Sequence, residues 1–184
     1  MALEIEDGTG KANATSYVTV AEAKTYAASR GVVLSNDDAV VEAQLIQAMD
    51  YVESFRTKYQ GRKTWPRPGM DVGHPHAQAL QWPRTGVVID CDYNLPDNVI
   101  PQELKQAQMQ AAVEVHNGLV LMPSSDGRVV KKEKVDVIET EYMTADEVGG
   151  GGVIGTASFP VLEALLEPLF NACGGGFFLR TRRA

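Results

Sequence analysis

The chain has 184 residues, 44% of them hydrophobic and 22% charged, which suits one domain with appendages or two small ones. Its 17 Lys and Arg against 24 Asp and Glu leave a net charge of −7, which excludes a broad positive face gripping a nucleic-acid backbone throughout. Cys91 and Cys173 are the only cysteines; they lack metal or redox spacing and read as reduced thiols of a protein made in the cytosol.

The segment from Met1 to Asp7 has neither a basic start nor a long apolar stretch, so it does not read as a signal peptide. Apolar runs such as Leu119 to Met122 are too short to cross a bilayer. Residues 1–18 are expected to be an N-terminal arm, with a turn at Asp7-Gly8-Thr9-Gly10 and small polar residues that give little to bury. A first helix starts at Thr19, which has Glu22 three residues on as a reciprocal capping partner, and it stops at Gly31. A second runs from Asn36 or Asp37 to Tyr59, with Val41, Leu45, Ala48, Met49, Val52, Phe55 and Tyr59 in one apolar stripe. Gln44, Gln47, Asp50, Glu53, Arg56 and Lys58 point away from that stripe.

Residues 61–100 read as a proline-rich loop, since prolines at 66, 68, 75, 83 and 96 suit neither helix interiors nor central strands. Within it, Pro83 and Gly86 mark a tight turn over 79–87. Pro101 opens a third helix to about Val115, with Leu104, Ala107, Ala111, Ala112 and Val115 inward. These pieces make a helical core over 19–130. Residues 131–148 form a strand-like segment, 149–159 a Gly-rich linker, and 160–184 a short helix to Phe170 followed by a tail. The expected fold is mainly α: a small helical bundle with long loops, a short β element and an extended C-terminal docking arm.

Residues that could carry chemistry are few. His74 and His76 flank Pro75 near Asp71, but a closed zinc site needs four ligands, so this reads as a solvated loop and no metal is assigned. The glycines at 149–152 lack the Lys-Ser/Thr pair of a phosphate loop. No carboxylate pair stands out as an acid–base couple, and the chain is read as not an enzyme and as needing no cofactor. Trp65 with Arg67, and Trp82 with Arg84, fit either of two roles. They could stack single-stranded bases and meet phosphates, or anchor a subunit interface. The acidic balance favours the interface.

Several blocks resemble the head–tail connector (adaptor) proteins of tailed bacteriophages. They are Ile5 to Gly10, Ala14 to Ala23, Ala43 to Tyr51, Leu80 to Val87, Ile100 to Ala112 and Lys132 to Tyr142. Similar sequences also carry the description of DnaT-like single-stranded-DNA-binding proteins, which supplies an alternative role as a replication accessory. The adaptor resemblance implies a subunit of the virion neck, assembled in the host cytoplasm into a ring of about twelve copies that matches the portal. Its implied partners are the portal protein, neighbouring copies and the next neck or tail-completion protein. Double-stranded DNA would pass through the lumen without sequence recognition, and no membrane is involved. On this resemblance Leu165, Leu169, Phe170, Phe177, Phe178, Leu179, Arg180, Arg182 and Arg183 would dock on the portal, while Trp65, Arg67, Trp82 and Arg84 would lie between subunits.

Overall fold

A computed structural model describes residues 3–64, 78–122, 130–134, 139–142 and 159–170. The fold is mainly α. Four helices, α1 (Val20–Ala28), α2 (Asp38–Ser54), α3 (Gln102–His116) and α4 (Pro160–Phe170), carry the core. Among the described residues there are also three two-stranded antiparallel ladders: β1 (Arg62–Lys63) with β2 (Arg84–Thr85), β3 (Val88–Ile89) with β4 (Tyr93–Asn94), and β5 (Val130–Lys134) with β6 (Glu139–Tyr142).

The helix ends follow from local chemistry. The Thr19 hydroxyl accepts from the Glu22 amide while the Glu22 carboxylate accepts from the Thr19 amide, closing the capping box at α1. Asp37 caps α2 by accepting from the Ala39 amide. Pro101 precedes α3 with no side-chain cap, and Glu103 sits in its positive first turn. α2 is shorter than its apolar stripe predicts. The chain leaves the helix at Phe55 and turns through 55–58, because Tyr59 is held by its hydroxyl bond to the Val52 carbonyl and by ring packing on Trp82.

Two apolar clusters share the helices. Val41 and Leu45 near the start of α2 join Ala111, Ala112 and Val113 near the end of α3, together with Ala23, Ala27 and Leu162. Met49 and Val52 near the end of α2 join Leu104 and Ala107 from the start of α3, with Trp82, Leu166 and Leu169. The two central helices therefore run antiparallel, and the alanines of α3 allow their close approach.

The N-terminal segment is not an arm. Tyr17 and Val18 have no accessible surface, and Ala14, Ser16 and Glu6 are buried with them. The Glu6 carboxyl accepts from the amides of Gly8, Gly10 and Lys11, which winds residues 6–11 around a buried side chain. Gly8 has φ +99, and a Cβ there would strike the Asn98 carbonyl, so only glycine fits. Composition gave no sign of this, because the burial comes from two aromatic or β-branched residues and one carboxylate rather than from an apolar run.

The 61–100 region also departs from an open loop. β1 pairs with β2 in the register Arg62↔Thr85 and Lys63↔Arg84, and the Trp82–Pro83 peptide between them and the core is cis. Cys91, in the turn joining β3 to β4, is disulfide-bonded rather than a reduced thiol. The single strand-like segment expected after α3 is instead a ladder, Val130↔Tyr142 to Lys134↔Glu139, with a register irregularity after Val130. Among the described residues this ladder packs on none of the helices. No described helix is long and apolar enough to cross a membrane.

Candidate functional site

The motif with the clearest functional promise in the sequence, Trp82-Pro83-Arg84, lies where the N-terminal segment, α2 and the β1–β2 ladder converge. The Trp82 side chain has no accessible surface, and its ring meets Tyr59 edge to face at 5.6 Å. Its indole Nε1 is buried without a hydrogen-bond partner. The Trp82 amide donates to the Tyr17 hydroxyl at 3.2 Å, and the Gln81 amide donates to both Glu53 carboxylate oxygens at 2.9 and 3.1 Å. Tyr17 in turn donates to Glu53.

Arg84 is buried on carbonyl oxygens. Its Nε donates to the Gln60 carbonyl at 2.6 Å, and its Nη2 to the Gly61 carbonyl at 2.8 Å and the Tyr59 carbonyl at 3.4 Å. Its Nη1 donates to the Gln81 side chain at 3.1 Å. The guanidinium thus collects the carbonyls of a chain leaving α2, a task its planar fork suits. Beside it, the buried Gln78 amide donates to the carbonyls of Leu80 and Pro83, and the Lys63 ammonium donates to those of Gln78 and Ala79.

The electrostatics match this burial. Desolvation pushes the Glu53 carboxyl up, against the lowering effect of its bonds from Tyr17 and Gln81 and of Lys63 and Arg84 nearby. Desolvation and the Glu53 charge together raise the Tyr17 phenol well above its ordinary value. Burial lowers the Lys63 ammonium, opposed by Glu53. This is a structural polar network that fixes a loop.

Trp82 and Arg84 are therefore not exposed interface residues of this subunit: one has no accessible surface and the other is held by main-chain oxygens. Trp65 and Arg67 lie outside the described residues, as do His74, His76 and Cys173. Of the proposed portal-docking residues of the last helix, Leu169 is buried and Leu165 and Phe170 are half-buried. Leu169 is buried in the second apolar cluster, with Leu165 and Phe170 packed against it. Phe170 lies 5.4 Å from the rings of both Phe55 and Tyr59. Gln60 donates its amide to the Leu169 carbonyl and its side chain to the Pro168 carbonyl. The helix belongs to the body because every third or fourth residue is a leucine that finds α3 and the end of α2. Phe177, Phe178, Leu179, Arg180, Arg182 and Arg183 lie outside the described residues.

The sequence reading missed Glu53, Tyr17 and Gln108. Gln108 has no accessible surface; it accepts from the Tyr17 amide at 2.9 Å and donates to Ser16 Oγ and the Leu45 carbonyl. One signal was available, since Gln108 lies four residues after Leu104 on the inward stripe of α3. Glu53 gave none.

Three of the described cations are engaged within the subunit. Lys11 pairs with Glu4 and Asp7, Lys24 with Asp38, and the Arg30 guanidinium lies 3.4 Å over the Tyr26 ring. Among the described residues no group of three or more His, Cys, Asp and Glu side chains is placed to hold a metal ion. No curated protein and no solved structure matches the chain. A family model described as "Putative DnaT-like ssDNA binding protein" matches residues 1–184, and the chain belongs to that family.

Proposed function

We propose that this member of the family acts as a structural subunit, a head–tail adaptor of a tailed bacteriophage. Copies would form a ring under the portal, extend the DNA channel and provide a platform for the neck or tail. The observation that supports this reading is the β5–β6 ladder, a sheet of two strands among the described residues. A two-stranded ribbon is marginal alone in water and gains most by pairing with a neighbour. A head-to-tail ring supplies that neighbour to every copy. The net charge of −7 suits a channel in which DNA slides instead of sticking.

The test is negative-stain imaging of the protein mixed with its portal. A collar of density should appear on the portal, and a variant lacking residues 130–142 should lose it while keeping its helical circular dichroism. A full collar with that variant would remove the ladder from the assembly contacts, and no collar with the intact protein would refute the adaptor reading.

The family's description favours a second reading, binding of single-stranded DNA. Trp82 and Arg84 cannot serve it without unfolding the loop that they hold. Under this reading labelled single strands bind with an affinity that falls steeply with salt, and Trp82→Phe leaves that binding unchanged. Salt-sensitive binding together with no portal collar would replace the first reading by the second.

A further inference from the structure

Arg56, Lys58, Arg62 and Lys63 fall in an acid-free stretch of the chain, from Ser54 to Met70, in a protein whose net charge is −7. They divide by task. The Lys63 ammonium turns to the carbonyls of Gln78 and Ala79. Successive strand residues face opposite ways, so Arg62, the other residue of β1, points away from that loop into solvent. Arg56 and Lys58, in the turn that leaves α2, are exposed as well. Among the described residues neither the Arg56 nor the Arg62 side chain makes a hydrogen bond or ion pair, in contrast to Lys11 and Lys24. Three exposed cations thus stand within a short length of chain between α2 and β1.

Aromatic surface lies beside them. The Lys58 ammonium rests 5.0 Å from the Phe55 ring and 5.8 Å from the Phe170 ring, and these two half-buried rings are 5.4 Å apart. Lys58 and Phe170 line a cleft of about 300 Å³ together with Glu163 and Glu167. Carboxylates repel phosphates, so a nucleic-acid backbone keeps to the arginine side of this cleft and only a base enters it. A base that enters must be unpaired. Cations tracking a backbone beside an aromatic face are the means by which single strands are held without regard to sequence.

We propose that Arg56, Lys58 and Arg62 hold the phosphates of single-stranded DNA while Phe170 stacks one base in the adjoining cleft. This rests on the second reading, binding of single-stranded DNA, and gives it a site in place of Trp82 and Arg84. The grip is local, as an acidic protein requires. At about 0.7 per phosphate, three contacts set the slope of log affinity against log salt near −2.

Fluorescence anisotropy of a labelled oligothymidylate with the full chain tests this. Affinity should fall about 20-fold between ~50 and ~200 mM salt. Arg56→Ala/Lys58→Ala/Arg62→Ala should weaken binding about tenfold or more at the lower salt and flatten the slope toward zero. Lys24→Ala/Arg30→Ala/Lys105→Ala removes the same charge elsewhere and should keep affinity within about threefold. Phe170→Leu keeps an apolar side chain against Tyr59 and should cost about fivefold or more with the slope unchanged. Circular dichroism and thermal unfolding establish that each variant is folded. Salt-sensitive binding that survives in the first triple variant would overturn the site and leave the second reading standing. Equal losses for the two triple variants would overturn it too, by tracing the effect to net charge. A duplex of the same length bound as tightly would do the same, since a paired base cannot enter the cleft. No binding by the unmodified protein would overturn the site and the second reading together.

Discussion

Tyr17 donates its phenolic hydrogen to the carboxylate of Glu53, joining the segment ahead of α1 to the last turns of α2 across 36 residues of sequence. The same two side chains receive the main chain of the cis-proline loop: Gln81 donates to Glu53, and Trp82 donates to Tyr17. The pair therefore decides where residues 81–84 sit, and through them which way Trp82 and Arg84 face. An indole and a guanidinium that look fit for recognition become core residues because this bridge pulls their backbone inward.

Removing the carboxylate should loosen that loop. Glu53→Ala leaves the Tyr17 hydroxyl and Gln81 amide without their acceptor, and we expect about 2–3 kcal/mol of lost stability by urea unfolding. The pH dependence has a definite sign. Burial raises the folded-state value of Glu53 above its ordinary 4.5, so its contribution to stability is full below about 4.5 and is lost as pH rises through the raised value. Glu53→Gln should flatten that part of the profile. Asp7 has the opposite slope. Its bonds from Thr9 and Lys11 hold its carboxyl at about 2 against an ordinary 3.8, so its contribution is present above 3.8 and lost as pH falls toward 2. Asp7→Asn should flatten that acid limb alone.

Trp82→Ala should cost about 3–5 kcal/mol, the range for emptying a buried aromatic site. Trp82→Phe retains the edge-to-face contact with Tyr59 and removes a buried Nε1 that has no partner, so its loss should be the smaller by more than half. Comparable losses for the two variants in chemical denaturation would show that the indole has a polar role.

Arg84→Lys is not conservative here. A single ammonium cannot reach the carbonyls of Tyr59, Gln60 and Gly61 together with the Gln81 side chain, so about 2–3 kcal/mol should be lost. Amide hydrogen exchange should rise in residues 59–64 and 81–86 while α1 stays protected.

Gly61→Ala meets both a backbone and a steric obstacle. Gly61 has φ +64, and an added Cβ would run into the Thr85 carbonyl across the β1–β2 ladder. Gly31 has φ +76 with open space around its Cβ position, so Gly31→Ala carries the conformational cost alone. The loss for Gly61→Ala should exceed that for Gly31→Ala by at least about 1 kcal/mol, measured as the difference in thermal unfolding.

The helices were legible in the sequence because their causes are local. Thr19 with Glu22, Asp37 before an apolar stripe and Pro101 before Glu103 each act within one turn of chain, and the leucines at 162, 166 and 169 repeat at the helical period. Periodicity shows that a helix has an apolar face without saying what covers it. Leu169 and Phe170 read as a docking surface from sequence, and only the packed structure buries Leu169 and sets the Phe170 ring against Phe55 and Tyr59. The inward turn of Trp82 and Arg84, and the burial of Tyr17, Glu53 and Glu6, were not legible for the same reason. Each depends on partners dozens of residues away, and a polar side chain is stable inside only once those partners have arrived.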